Sequence, residues 1–417
     1  MSHRTADPAV DPDVAPGRWA ALAGLAAAEL LAMSTWFSAS AVVPELRGVW
    51  SLTPTEASLL TIAVQLGFVA GALASAALSL ADRFSPRRVM AVAAAGAAVA
   101  NLGLLAADAA APAIVLRFTT GVFLAGVYPP ALKAMATWFR ARRGLALGVM
   151  VGALTLGSAL PHLVRALGGL DWRVVVAVTS AATLAGGVVA LAGRDGPYPF
   201  PRAHFDPGQA LAVMRDREVR LASLGYFGHM WELYAMWAWI GAYLTASFEV
   251  TGVADPGTVA AYGAAGAVGI GALGCVAGGL LGDRRGRVWL TSVAMLSSGA
   301  AAGVAGAVWG RAPALVLAVV LFWGFWVVAD SAQFSTLVTE VADQRYVGTA
   351  VTMQLALGFT LTVATIWLVP LLVEWVGWRW SFLVLTPGPL LGTVAMQRLR
   401  VRPPAIAVSR AGVPSRR

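Results

Sequence analysis

Twelve apolar runs, each of about twenty residues, dominate this sequence and limit the folds that it can adopt. A helix of about 20 residues crosses the roughly 30 Å hydrocarbon core of a bilayer. Only 12% of the residues are charged, against about 25% in a soluble domain. The pattern predicts an all-α membrane protein with twelve transmembrane helices. The predicted spans are 19–43, 56–80, 88–107, 112–137, 144–167, 173–193, 221–247, 257–281, 288–309, 312–337, 347–373 and 379–397.

The basic residues predict how the chain is oriented. With both termini in the cytoplasm, 23 of the 30 Lys and Arg residues lie on the inner side and four lie in outer loops. The positive-inside rule therefore favours cytoplasmic N- and C-termini. The basic residues flank apolar runs and form no continuous face, so the net charge of +9 does not indicate a nucleic-acid partner. Residues 1–17 have no apolar core followed by a cleavage site, so we expect no signal peptide.

The two halves of the sequence repeat each other. Glu29 and Glu232 are the first residues of two similar sequence segments at an offset of 203 residues. Asp82-Arg83 matches Asp283-Arg284 at an offset of 201. Six spans separate the copies, so both halves have the same orientation, as in a parallel repeat. The predicted regions are a polar tail at 1–17, a six-helix bundle at 18–193, a linker at 194–220, a second six-helix bundle at 221–397 and a basic tail at 398–417.

The two glutamates are the strongest candidates for chemistry. Glu29 lies ten residues into its span and Glu232 eleven, which at about 1.5 Å per residue places both near the bilayer midplane. Ionisable residues at that depth normally face the bundle interior and carry function. The alternative is that each is a structural hydrogen-bond partner between helices. On the same predicted helix faces lie His229, as a third proton-coupling candidate, and Trp36, Trp239 and Tyr243, as candidate cavity walls.

Three further site candidates are polar residues within predicted spans. Arg117 could bind an anionic substrate, neutralise Glu29 or tie helices together, and we include it among the proton-coupling candidates. Asp330 and Gln333 are candidate substrate contacts, because Asp330 has no acidic counterpart at the equivalent position, Val127.

A loop motif identifies a resemblance. Gly279-Leu280-Leu281-Gly282-Asp283-Arg284-Arg285-Gly286-Arg287 resembles the loop signature of the major facilitator superfamily, and Arg117-x3-Gly121 with Ala125-Gly126 resembles its fourth-helix motif. The copy around Asp82 is looser. The resemblance implies two pseudo-symmetric six-helix bundles that rock about a midplane site to give alternating access. It also implies a cytoplasmic gate of charged residues, which are Asp82, Arg83, Asp283, Arg284 and Arg287.

The function expected from the sequence is proton-coupled secondary transport of a small organic solute across the inner membrane. The excess of acids over bases at the midplane favours a neutral or cationic solute. The alternatives are proton-driven efflux of amphipathic or cationic compounds, uptake of a small organic anion, and solute sensing without transport. No Walker A loop or zinc-protease motif is present, so we expect no enzyme activity, cofactor or metal. The expected partners are lipid, protons and solute, and the expected state is a monomer.

Overall fold

The computed structural model describes residues 15–139, 143–168, 171–198, 206–343 and 345–399, without the side chains of residues 81, 82 and 207. Most of the predicted N-terminal tail, the C-terminal tail from residue 400, and the side chain of the gate candidate Asp82 therefore lie outside the described residues. The described elements are all helices, and no β-strand occurs among them.

The described residues of the first half form ten α-helices. They are α1 (Arg18–Ala32), α2 (Ser38–Ala41), α3 (Val43–Trp50), α4 (Pro54–Ala77), α5 (Leu80–Arg83), α6 (Pro86–Leu102), α7 (Ala110–Leu124), α8 (Tyr128–Ala136), α9 (Arg143–Leu167) and α10 (Trp172–Ala192).

The second half forms eight more, of which the first is short and belongs to the linker. They are α11 (Ala210–Arg215), α12 (Arg217–Val250), α13 (Pro256–Arg285), α14 (Arg287–Val308), α15 (Pro313–Ala329), α16 (Ser331–Val341), α17 (Val347–Ser381) and α18 (Pro387–Arg398).

Within the described residues, nine helical segments are long and apolar enough to cross a membrane. Three features account for the difference from the twelve predicted spans. The predicted span 19–43 is broken between α1 and α2, and α12, which contains span 221–247, is not among the nine. The last two predicted spans run together as Val347–Arg398, although Gly377 interrupts them with φ 70° and ψ 174°.

The break after α1 corrects the expectation of one continuous helix over 19–43 with Glu29 and Trp36 on the same face. A 3₁₀ turn follows at Met33–Thr35, and α2 begins only at Ser38. Hydroxyl side chains explain the break, because Ser34 and Ser38 bond to nearby backbone carbonyls and so compete with regular helix. In α12 the matching stripe is continuous, since its 34 residues form one helix.

Helices from the two halves pack directly on each other. The most extensive helix pair is α9 with α13, and α4 also packs on α17. Glycines allow the close approach of α9 and α13, because a Cβ at Gly148 would meet the carbonyl of Cys275, and one at Gly279 would meet the carbonyl of Gly144. Small residues of this kind let membrane helices touch through their backbones.

Candidate functional site

A small cavity lies between the two halves of the chain. Its volume is about 20 Å³, which is room for about one water molecule. Helices α8 and α9 of the first half and α12, α15, α16 and α17 of the second half supply its walls. The lining residues are Tyr128, Val151, Leu154, Tyr226, Met230, Leu233, Tyr234, Trp237, Val328, Ser331, Ser335, Leu355 and Phe359.

A larger vestibule of about 340 Å³ opens at one end of the same interface. Arg47 lines it from the first half, and Trp239, Glu249 and Glu374 line it from the second. The indole N–H of Trp239 donates to the carbonyl of Ile366 at 2.9 Å. This candidate cavity residue therefore borders the vestibule rather than the small cavity.

Six aromatic rings, which we call the aromatic cluster, pack against one another between the two halves, and three of them line the cavity. Three come from each half, and their centroids lie 4.6 to 6.0 Å apart in the contacting pairs. Such distances are typical of stabilising aromatic contacts. Candidate Trp36 is part of the cluster and is 1% exposed. The members are Trp36, Phe37, Phe68, Tyr234, Trp237 and Phe359.

Glu29 is buried on α1 without a hydrogen-bonding partner. Its side chain is 0% exposed, and among the described residues no group bonds to either carboxylate oxygen. Glu29 does not line the cavity, but it lies within electrostatic reach of Tyr128, which does. An ionised carboxylate in such surroundings is costly, so the geometry favours a carboxyl group that holds its proton.

Glu232 is equally buried on α12 but has two donors. Ser298 donates to Oε2 and the indole N–H of Trp323 donates to Oε1, both at 2.7 Å. These donors come from α14 and α15, so Glu232 faces the interior of the second half while the opposite face of α12 lines the cavity. Two short bonds to its two oxygens hold the carboxyl group of Glu232 in one place.

His229 and Asp330 form a buried pair beside the cavity. His229 Nδ1 lies 2.9 Å from Asp330 Oδ1, and each side chain is 1% exposed. His229 Nε2 and both carboxylate oxygens of Asp330 have no hydrogen-bonding partner among the described residues. Asp330 occupies the break between α15 and α16. This pair therefore lies directly behind Ser331, which lines the cavity.

Arg117 is fully buried and engages the broken end of α1. Its guanidinium donates to the carbonyls of Thr35 and Trp36, to Ser38 Oγ and to Asn101 Oδ1, and its Nε donates to the carbonyl of Leu60. No carboxylate bonds to it among the described residues. Of the three roles that the sequence left open, the geometry matches the tying of helices.

Two other cavity candidates lie elsewhere. The hydroxyl of Tyr243 donates to the carbonyl of Ala305 at 2.7 Å. Gln333 accepts a bond of 2.6 Å from Arg287, which draws it into a charged network at the end of α13. Neither residue lines the cavity.

The gate candidates form part of that network. Arg287 donates to Glu340 at 2.9 Å and lies 3.8 Å from Asp283. The carboxylate of Asp283 lies against Gly144 in the first turn of α9, so it joins the two halves at this end. Arg83 and Arg284 are exposed.

Five cavity residues were missed or left unassigned by the sequence interpretation. Tyr128 was visible as an intramembrane polar residue without a known facing. Tyr226, Tyr234, Ser331 and Ser335 were not singled out. Their spacing offered a signal, since the tyrosines are eight residues apart and the serines four, and both spacings place residues on one helix face.

Two comparisons with known proteins agree with this fold. A probable sulfoacetate transporter of Cupriavidus necator is 27% identical to this chain over 214 residues, which are 45% of this chain and 50% of the relative. The match thus spans about half the length of that relative. The family model of the Major Facilitator Superfamily matches residues 25–364, which is well over half of the chain. Family and relative point to a transporter rather than an enzyme, and the chain belongs to the Major Facilitator Superfamily.

Proposed function

We propose that this protein is a proton-coupled secondary transporter that moves a small organic solute through the central cavity by alternating access. The observation that carries the proposal is the buried carboxyl of Glu29, which has no partner among the described residues. Buried polar groups are normally paired, and an unpaired one needs an explanation. A group that alternately takes up and releases a proton provides it, because its partner is the proton itself.

The proposed architecture has twelve membrane crossings in two six-helix bundles, at 18–193 and 221–397. In this proposal both termini lie in the cytoplasm. The protein is a monomer in the inner membrane. Gly377 would separate the last two crossings, and α12, at 34 residues, is long enough for one. The bias of basic residues supports this orientation. The vestibule then opens outward, and Asp283 and Arg287 lie at the cytoplasmic end.

In the proposed cycle Glu29 is the proton carrier and Tyr128 connects it to the cavity. Glu232 keeps its bonds to Ser298 and Trp323 and holds the second bundle together. His229 and Asp330 sense the solute through Ser331. The cavity of about 20 Å³ is too small for an organic molecule, so it must enlarge before solute binds. In the proposed cycle it enlarges when the rings of the aromatic cluster move away from one another.

The test is solute-evoked pH change in proteoliposomes that contain the purified protein. Sulfoacetate is the first solute to try, because a relative is named for it, followed by other acids, amines and sugars. A proton movement that requires both protein and solute supports the proposal, and its sign distinguishes symport from antiport. Solute movement with no proton movement would contradict the coupling. Binding with no movement of solute would favour a sensor.

A further inference from the structure

The two ends of the interface between the halves differ. At one end the halves touch, because the carboxylate of Asp283 lies against Gly144. At the other end the vestibule of about 340 Å³ lies between them. The proposed alternating access requires the vestibule to close when the opposite end opens. Residues that hold the closed state are therefore expected in the walls of the vestibule.

The walls of the vestibule carry charges of opposite sign. Arg47 lines it from the first half, and the carboxylates of Glu249 and Glu374 line it from the second half. All three residues are exposed. None of their side chains forms an ion pair or a hydrogen bond with another described residue. The two walls are thus complementary in charge and are not joined to each other in this structure.

The wall that carries Arg47 is fixed to the first half. Arg47 lies on α3, which follows the break after α1. Arg165 of α9 donates from Nε and from Nη2 to Oε1 of Glu45 on α3, at 2.9 and 2.6 Å. Arg165 is only 4% exposed, so salt screens this pair less than a surface pair. Helix α3 therefore follows α9 when the first half moves, and it carries Arg47 with it.

The wall that carries the two glutamates is a unit of the second half. The indole N–H of Trp239 on α12 donates to the carbonyl of Ile366 on α17 at 2.9 Å. That carbonyl has no helical donor, because Pro370 lies inside α17 and proline has no N–H. Tyr243 of α12 also contacts Trp378, with 6.5 Å between the ring centroids. The adjoining parts of α12 and α17, which carry the glutamates, therefore move together.

We infer that Arg47 and the carboxylates of Glu249 and Glu374 form an outer latch, a set of ion pairs that joins the two halves when the vestibule closes. A guanidinium has five N–H donors in a planar fork, so one arginine can engage two carboxylates. The inference rests on the proposed function, because a vestibule that never closes needs no latch. The latch is the counterpart, at the outer end, of the contact between Asp283 and Gly144.

The experiment measures the distance between the two walls in the purified full-length protein in lipid nanodiscs. Spin labels are attached to Val49→Cys and Val376→Cys, and pulsed electron paramagnetic resonance gives the distance distribution. These positions are 54% and 50% exposed, and neither lines the vestibule. The native chain has one cysteine, Cys275, which is buried. The protein without the two added cysteines therefore serves as the labelling control.

The variants change the charges of the latch in both directions. Arg47→Glu reverses the charge of one wall, and Glu249→Gln/Glu374→Gln removes the charge of the other. The swapped variant, Arg47→Glu/Glu249→Arg/Glu374→Arg, exchanges the signs of the two walls. Arg47→Lys keeps the positive charge. The control is Arg311→Glu, because Arg311 is exposed and lies outside the vestibule lining.

We expect a shorter distance for the closed vestibule and a longer one for the open vestibule. Arg47→Glu and the double glutamine variant should lower the ratio of closed to open molecules by about two- to fivefold, as for the loss of an exposed ion pair. The swapped variant, Arg47→Lys and Arg311→Glu should keep a ratio close to that of wild type. Salt at about 1 M, where the Debye length is about 3 Å, should lower the ratio in wild type but not in the double glutamine variant.

Two results would overturn the outer latch. One is an unchanged ratio in both Arg47→Glu and the double glutamine variant. The other is a swapped variant that closes no more often than Arg47→Glu. Thermal melting confirms that each variant is folded. If the swapped variant does not fold, the salt dependence of wild type provides the test, and a ratio that salt does not change would overturn the latch.

The outcome separates the latch from the proposed function. Two distances whose ratio ignores the charge variants would refute the latch and leave alternating access intact. A single distance in wild type would refute alternating access and the latch together. A ratio that follows the charges, combined with transport that moves no proton, would support the latch and refute the proton coupling.

Discussion

Glu29 and Glu232 occupy matching positions in the two halves, yet their surroundings differ. The first carboxyl has no partner among the described residues, whereas the second accepts bonds from Ser298 and Trp323. The repeat offsets of 201 and 203 residues place Ala97 and Thr120 at the positions of those two donors. The hydroxyl of Thr120 is occupied by the carbonyl of Leu116. The two halves thus carry matching buried acids, and only Glu232 has donors that hold it in place.

A second contrast accompanies the first. Arg117 donates to the backbone carbonyls left without a helical partner by the break after α1. In the second half α12 is continuous through the equivalent region. The residue equivalent to Arg117, at an offset of 203, is Val320. A buried charge and a broken helix therefore occur together in the first half. In the proposed cycle the first half holds the movable proton, and the second half supplies most of the residues that line the cavity.

The largest expected effect is on transport. Glu29→Gln should abolish proton-driven accumulation of solute and leave solute exchange measurable, because a glutamine cannot carry the proton. Glu232→Gln should retain accumulation, since its amide can accept from Trp323 and donate to Ser298. Uptake into proteoliposomes under a pH gradient measures both. An equal loss of solute accumulation in Glu29→Gln and Glu232→Gln would show that the two glutamates do not differ in their role in transport.

Arg117→Met should have the next largest effect, now on stability. Removing the guanidinium leaves the carbonyls of Thr35, Trp36 and Leu60 without their donor, at roughly 1–3 kcal/mol for each unsatisfied buried group. We expect a loss of about 3–5 kcal/mol. The matched control is Val320→Met, and unfolding in detergent measures the difference. A stable Arg117→Met protein would show that the break in α1 does not depend on this residue.

Leucine substitutions compare the acids as structural groups. Glu232→Leu strands the hydroxyl of Ser298 and the indole N–H of Trp323 and should cost about 2–3 kcal/mol. Glu29→Leu breaks no hydrogen bond to a described group and should cost less than about 1.5 kcal/mol, as for a swap of similar volume. Melting temperatures of the two variants are the measurement. A larger loss of stability for Glu29→Leu than for Glu232→Leu would indicate that Glu29 has a hydrogen-bonding partner.

The smallest effect concerns pH at the end of the first half. Asp195 bonds to Arg87 at 2.9 Å, and this guanidinium lowers the pKa of Asp195 below its ordinary value of 3.8. A lowered pKa in the folded state gives stability that is present above the unfolded value and is lost as pH falls through the folded value. We expect a slight fall in melting temperature between about pH 5 and about pH 3, smaller in Asp195→Asn. An equal fall in the melting temperature of Asp195→Asn would show that other groups cause the loss of stability.

The sequence predicted the helical membrane fold, the family, and the burial of both glutamates, because apolar length and internal repetition can be recognised in the sequence itself. It did not separate Glu29 from Glu232, since Ser298 and Trp323 lie 66 and 91 residues from Glu232. It also missed the break after α1, although Ser34, Thr35, Ser38 and Ser40 offered a signal. The facing of Ser331 and Ser335 depends on how α16 meets the cavity, which spacing alone does not fix.

We propose that Glu29 holds a transferable proton, while Glu232 is held in place by its bonds to Ser298 and Trp323. Infrared difference spectroscopy of the reconstituted protein, with and without transported solute, tests it most directly. Wild type should show a change in the band of a protonated carboxylic acid. That change should vanish in Glu29→Gln and persist in Glu232→Gln. A signal that persists in Glu29→Gln and vanishes in Glu232→Gln would contradict the claim and make the second half the proton carrier.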